Sequence, residues 1–395
     1  MKKYFFFLLA GFLSVATHTL HAQPNYQAPQ SKYRVAIFAP LYLDSAFSAG
    51  KLKNPRVLPR QSMPAAEFVQ GAQIALDTLN TRGKTIEAFI YDSKSATRNV
   101  AWLIRYRMLD SMDLIIGSVK DPEYSQLAHF AAQRKIPFVS STFPNDGGVR
   151  SNPYLLIVNS TLQAHCESIF SYLVQKYGAD NIYLAKRKNE NRIENIFKTI
   201  NQAEGKPLLN IRSLVLDTSV TTYQLKTLVD TSRPSIIIGA TLDEFFATKL
   251  ATAMYPIQKT NNLSLIGMPN WDGFRSLYKK DAFKDFPVKY TTPHYDLKTG
   301  AFGRFLTDNY FHLYRAAPTD MAFKGFETTY YFMNILLQYG RSEFMNHLNE
   351  PAFAGFHEFN FRPVYFNKQS TTPDYYENRR LFIMQILNGE NVRQW

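Results

Sequence analysis

The chain has 395 residues, 45 Lys and Arg against 32 Asp and Glu, a formal net charge of +13, and one cysteine. That length points to two lobes rather than one compact unit. The lone Cys166 excludes an internal disulfide, and the lack of any run of five or six like charges excludes a nucleic-acid-binding arm.

The first 22 residues read as a secretory leader. Lys2 and Lys3 precede an apolar run from Tyr4 to Ala16, and Ala22 offers a cleavage point, with Leu20 larger than usual two residues earlier. The run is short for a membrane span, which needs about 20 apolar residues. No later stretch is apolar enough to span, and no cysteine near the cut invites a lipid anchor. The expected product is a soluble, exported, periplasmic protein.

From Tyr33 strand and helix signals alternate. Tyr33–Pro40 is a continuous apolar run ended by proline, as a buried parallel strand requires. A helix follows, with Val69, Ala72, Leu76 and Leu79 on one face. Ile86–Asp92 reads as a strand, Ala101–Asp110 as a helix and Asp113–Val119 as a strand. Asp121-Pro122 supplies an N-cap and a first-turn proline for a helix to about Arg134, and Ile136–Thr142 is the next strand. A second such set begins with the helix Leu162–Tyr177. Strands follow in NIYLAKR, IRSLVLD, Pro234–Thr241 and Leu263–Pro269, with helices around Ile193–Gln202, Tyr223–Val229 and Leu242–Met254 between them. Alternation of this kind argues for right-handed βαβ units and parallel sheets. After Tyr290 come two long helices separated by a proline-containing break. The tail reads as two strands joined by a polar loop that includes Tyr375–Asn378. The 15% aromatic content suits sugar or aromatic contacts, and a large core uses such residues equally.

The order of these segments resembles the type I periplasmic substrate-binding proteins, the class of the leucine/isoleucine/valine-binding proteins. The resemblance covers nearly all of the chain after Tyr33. It rests on VAIFAPL, on FVQGAQIALDTLN with its G-x-x-L-A-x-x-x-x-N-like spacing, and on IYDSK ending in the Asp92 strand. It rests further on DLIIGSV, RKIPFVSST and KGFETTYYFMNILL, where Glu327 stands in place of the family's Asp. The fold implied is α/β: two Rossmann-like lobes with parallel sheets, joined by a three-segment hinge. By resemblance, lobe 1 takes 33–158 plus 291–350 and lobe 2 takes 159–290 plus 351–395. A ligand is expected in the cleft, at the carboxyl ends of the strands, where open α/β sheets bind their ligands.

Eight residues follow as ligand candidates. Asp121 stands where the family commonly places a serine, and it serves equally well as a helix cap. Ser140, Ser141 and Thr142 end a strand and could bond a carboxylate, sugar or peptide, or simply their own turn. Thr241 and Glu244 follow the Pro234–Thr241 strand. Glu244 is placed for a ligand ammonium or for the positive end of a helix. Trp271, beside Asp272, could stack on a ligand or pack its loop. Tyr42 opens a long insertion, Leu41–Met63, that carries Lys51, Lys53, Arg56 and Arg60 and reads as a lid, a partner-docking loop or a mobile surface segment.

Cys166 reads as a small buried residue, since His165 points about 100° away on the same helix. His294 and Asp296, flanking Tyr295, read as structural. No G-x-S-x-G, H-E-x-x-H, C-x-x-C or P-loop occurs, so neither enzyme nor cofactor is expected. The reading that follows is a solute-binding protein for an ABC-type importer or envelope sensor. Its ligand would be an amino acid, peptide or cell-wall fragment, and its partner a membrane permease or envelope protein. The alternative is a scaffold that regulates envelope enzymes by binding a protein.

Overall fold

An apolar run without polar alternation can be buried on both faces only in the middle of a sheet, and the first such run does this. In the computed structural model, Val35 to Ala39 of strand β1 (Tyr33–Ala39) are fully buried between two neighbouring strands. The structure describes residues 32–394 except 55–56, 81–84, 179, 204, 218, 231, 261 and 295–299. The expected leader, Arg56, Tyr295 and Asp296 lie outside the described residues.

After β1 the insertion holds a one-turn helix α1 (Leu43–Ala46) and a short ribbon, β2 (Phe47–Ser48) and β3 (Lys51–Leu52). Then come α2 (Met63–Asn80), β4 (Ile86–Asp92), α3 (Val100–Arg105), β5 (Leu114–Gly117), α4 (Glu123–Arg134), β6 (Phe138–Ser140) and β7 (Leu155–Ile157). The second set runs α5 (Leu162–Tyr177), β8 (Asn181–Lys186), α6 (Arg192–Asn201), β9 (Ile211–Val215), α7 (Thr222–Leu228), β10 (Ser235–Gly239), α8 (Glu244–Met254), β11 (Leu263–Ile266) and β12 (Val288–Thr292). The remainder is α9 (Ala301–Tyr314), α10 (Asp320–Glu343), β13 (Phe361–Val364), β14 (Tyr375–Asn378), β15 (Phe382–Leu387) and β16 (Glu390–Arg393).

Two seven-stranded sheets result, ordered β13-β14-β7-β6-β5-β1-β4 and β16-β15-β12-β11-β10-β8-β9. Pairing is parallel except at the ends, where β13 runs against β14, β15 against β12 and β16 against β15. The first sheet has a core on each face. Val35, Ile37, Leu114 and Val139 pack under α2, α9 and α10, while Ala36, Phe38, Ile115 and Phe138 pack under α3 and α4.

The tail departs from expectation. Tyr375–Asn378 is a strand, not a loop, and β13 and β14 extend the first sheet rather than joining 159–290. The crossing to the second sheet therefore falls between Asn378 and Phe382, not ahead of Pro351. The sequence YYEN hides this strand because two of its buried residues are polar. Glu377 and Asn378 are wholly buried, with Glu377 accepting from the Thr161 amide at 2.6 Å and pairing with Arg379 at 2.9 Å.

Two motifs quoted for the family resemblance prove to touch. Gly71 of α2 lies against the carbonyl of Ala322, and Gly325 of α10 against the carbonyl of Phe68. A Cβ on either glycine would sit at 1.9 or 2.0 Å from those oxygens, so only glycine lets the helices approach this closely. Much of the aromatic content lies beside this contact. Phe302, Phe323, Phe326, Tyr330 and Phe356 form one cluster with centroid separations of 5.3 to 6.4 Å.

Candidate functional site

The chain passes between the sheets three times, after β7, after β12 and after β14, so the site question is what lies at strand ends and crossings. The strand ends of the first lobe are occupied by their own bonds. Asp92, at the end of β4, is buried and gathers the amides of Leu41, Tyr42, Leu43 and Lys94 at 2.7 to 3.1 Å. Tyr42 is half-buried with φ 53°, held in the left-handed region by this carboxylate. Ser141 shares a buried hydrogen bond with Thr328 of α10 at 2.8 Å, and Thr142 one with Ser118 at 3.1 Å. Ser140 is fully buried, and its hydroxyl has no partner among the described residues. Asp121 accepts from the Ser125 amide at 3.3 Å and also from its hydroxyl, so it caps α4 from just outside the helix. Helix α4 begins at Glu123, with Pro122 in the capping position rather than inside the first turn.

The second lobe fills its strand ends with an aromatic. Trp271 is 0% exposed, and its indole donates to the Thr241 carbonyl at 3.0 Å. Its ring lies where side chains on Gly239 and Gly267 would be, at 2.4 and 2.1 Å from their missing Cβ atoms. Trp271 therefore offers no face to a ligand, which corrects the expectation of stacking: the two glycines made room for it from within. Thr241 is buried and its hydroxyl accepts from the Asp243 amide at 3.1 Å. Asp243 caps α8 through the Phe246 amide at 2.8 Å, while exposed Glu244 accepts from the Ser276 hydroxyl at 2.9 Å.

The insertion 41–63 is tethered rather than loose at its base. The Ala96 amide donates to Asp44 at 2.7 Å, and the Lys53 ammonium to the Asp44 carbonyl at 2.8 Å. Phe47, Leu52, Val57 and Leu58 are exposed on it with Lys51, Lys53 and Arg60. Cys166 is buried, and burial pushes its thiol up to about 12. His165 turns away to Thr291 at 2.8 Å, and burial lowers it to about 3.

What none of the eight candidates lines is a cavity of about 300 Å³ beside the second crossing. One wall comes from α10 through Asp320, Phe323, Lys324 and Glu327. The opposite wall comes from Tyr290 and Thr292 of β12, Met384 of β15 and Asn391 of β16, with Asp272, His294 and Phe356 completing the lining. Glu327 is 5% exposed and lies 3.1 Å from His357, whose ring meets Phe382 edge-on at 5.3 Å. Burial, then the charge of Lys324, holds His294 well below the usual imidazole range. Burial also raises the Asp272 carboxyl. A second cavity, of about 530 Å³, flanks the first and third crossings between Asn145, Asp146 and Phe366 on one side and Gln163, Glu167 and Arg192 on the other. Arg379 crosses its floor, paired with both Glu167 and Glu377. A third, of about 280 Å³, lies at the ends of β8 and β10.

The first cavity has a sequence signal on α10. Asp320, Lys324 and Glu327 share one face of a helix at spacings of four and three. The rest of that helix from Ala322 to Leu336 is almost entirely buried. Among the described residues, no group of three or more His, Cys, Asp or Glu is placed to hold a metal, and no helix is long and apolar enough to cross a membrane.

A family model described as periplasmic binding protein matches residues 60–192. No curated protein matches the sequence. Among solved structures, a protein of Rhodospirillum rubrum assigned as a branched-chain amino acid ABC transporter aligns with TM-score 0.65 at 11% identity, over 92% of this chain and 100% of that one. A branched-chain amino acid ABC transporter periplasmic ligand-binding protein of Burkholderia xenovorans gives 0.60 at 11%, over 92% and 94%. An ABC transporter substrate-binding protein of Desulfitobacterium hafniense in complex with Leu gives 0.56 at 12%, over 92% and 100%. With two mostly parallel sheets flanked by helices and three crossings between them, the chain has the type I periplasmic binding protein fold that its sequence resembles.

Proposed function

We propose that this is an exported solute-binding protein that captures a small ligand between its lobes by hinge closure, serving an ABC-type importer or envelope sensor and catalysing no reaction. The carrying observation is the cavity at the second crossing, walled by α10 from one lobe and by β12, β15 and β16 from the other. A ligand touching both walls binds the closed arrangement better than the open one, and that difference in affinity is what shifts the hinge. Of the strand-end candidates, Tyr42, Asp121, Thr142 and Glu244 are the ones at least partly exposed, and they could reach a ligand in the cleft with least rearrangement.

Small-angle scattering of the mature protein against a library of amino acids, short peptides and muropeptides tests this. A bound solute should shrink the radius of gyration and raise the melting temperature. A library in which no member does either would end the solute-capture reading.

A second reading has its own support. The hydroxyls of Ser141 and Thr142 and the carboxylate of Asp121 are engaged in internal bonds, while the insertion exposes apolar and basic side chains together. That combination suits a regulator that binds an envelope protein. Pull-down with the insertion shortened separates the two: a partner lost with the insertion, with no solute effect, favours the regulator.

A further inference from the structure

The second cavity, of about 530 Å³, does not end at Arg379. A further cavity of about 540 Å³ adjoins it and shares Glu167, Pro363 and Arg379 with it, so the two form one groove along the first and third crossings. The first-lobe wall carries Tyr365 and Phe366, 41% and 55% exposed, with the Tyr375 ring 6.1 Å from that of Phe366. The second-lobe wall is a face of α5, Ala164, Glu167, Ser168 and Ser171, spaced by three and four residues. Exposed rings leave apolar surface in water that a second flat group would cover. The two lining carboxylates are already neutralised within the chain, Asp146 by Arg150 at 3.1 Å and Glu167 by Arg379. Three lining guanidinium groups are not. Arg192, Arg362 and Arg380 have no carboxylate partner among the described residues, and Arg380 stands over the Phe382 ring at 5.6 Å.

We infer that this groove binds a short acidic oligosaccharide, a run of pyranose rings bearing carboxylates. The inference adds a site to the one proposed above and stands whether or not the first cavity takes a solute. A pyranose presents C–H groups on its faces and hydroxyls around its edge. The faces would pack on Tyr365 and Phe366. The hydroxyls, each both donor and acceptor, would meet the amides of Asn145, Gln163 and Asn360 and the hydroxyls of Ser168 and Ser171. The carboxylates would pair with Arg192, Arg362 and Arg380, whose planar guanidinium groups match a carboxylate two bonds at a time. A neutral saccharide would leave those three groups to water, and an acidic peptide offers no flat C–H face to the two rings. Two adjoining cavities, each within the size range of a ligand pocket, suit more than one ring.

Titration calorimetry on the mature protein tests this, with galacturonate oligomers of one to four rings as probes. An N-acetylglucosamine tetramer is the neutral comparator and tetraglutamate the acidic non-sugar. Affinity for galacturonate should rise with ring number and fall with added salt, which screens exposed ion pairs. Both comparators should bind at least about tenfold more weakly than the acidic tetramer. Arg192→Gln and Arg362→Gln should each weaken the acidic tetramer about tenfold, and Phe366→Ala about threefold or more. Arg192 and Arg362 are exposed, so their variants keep the fold. A comparator that binds as tightly as the acidic tetramer would overturn the inference, as would acidic binding indifferent to all three substitutions, or no binding by any oligomer. A disaccharide carrying N-acetylmuramic acid, titrated beside the galacturonate dimer, separates two sources of such carboxylates: the tighter binder names the source, and either supports the inference. Closure by an amino acid with no saccharide binding keeps solute capture and discards the groove, whereas the reverse keeps the groove and discards capture at the first cavity.

Discussion

The ends of the two sheets are closed off in opposite ways. In the first lobe, polar side chains bond to each other: Asp92 collects four amides, Ser141 meets Thr328 and Thr142 meets Ser118. In the second lobe, one indole fills the space over Gly239 and Gly267. Polar chemistry at a strand end is therefore no measure of availability, because each lobe uses its own strand-end groups to finish itself. Apart from the cavity at the ends of β8 and β10, what the lobes leave open lies where the chain crosses between them.

The comparison breaks most visibly at Trp271. Trp271→Ala should cost the second lobe about 3–5 kcal/mol, read as a lowered urea midpoint, because the cavity it leaves is walled by two glycines that cannot fill it. A near-neutral result would mean that the indole is not a core element. In the first lobe, Gly71→Ala should cost about 1–3 kcal/mol by forcing α2 away from the Ala322 carbonyl.

Acidification strikes the crossings rather than either sheet. The unfolded His165 titrates near 6.5, while the buried one is held at about 3. Between those values the unfolded chain binds more protons, so stability falls as pH falls below 6.5. The slope is on the order of 1.4 kcal/mol per pH unit for each such histidine, and His294 is shifted in the same direction. His165→Asn, whose amide can still reach Thr291, should flatten the acid limb of a stability profile. An unchanged limb would place the proton uptake elsewhere. The smallest effect belongs to the first lobe's bonds: Ser141→Ala should cost about 1 kcal/mol by thermal melt, and a loss of solute binding without that cost would return Ser141 to the ligand site.

Element bounds were legible where local turn-forming or polar residues bracket the pattern, even on a half-exposed edge strand. Ile86–Asp92 and Leu162–Tyr177 have the very bounds that their patterns give, because each is bracketed by turn-forming or polar residues. Strand β14 was not legible, because its burial is made possible by Arg379 and by the Thr161 amide, which are remote from one another in sequence. Helix α3 ends at Arg105, five residues before its apolar signal does. Of the site, only the cleft's general position could be read. The cavity at the second crossing draws on α10, β12, the β15–β16 hairpin and the Pro269–Gly273 turn, and no local window joins that hairpin to any of the other walls. In sequence, Asp272 is a weaker ligand signal than its neighbour Trp271, because an indole stands out when burial is unknown.

On the solute-capture reading proposed above, the glycine contact between α2 and α10 sets how ligand preference could change. With Gly71 and Gly325 bringing backbone against backbone, α10 is part of the first lobe's frame and cannot shift to suit a larger guest. Any relative with a different appetite would have to be remodelled on the far side, at Tyr290, Met384 and Asn391, where the strands are near a sheet edge and side-chain size is negotiable.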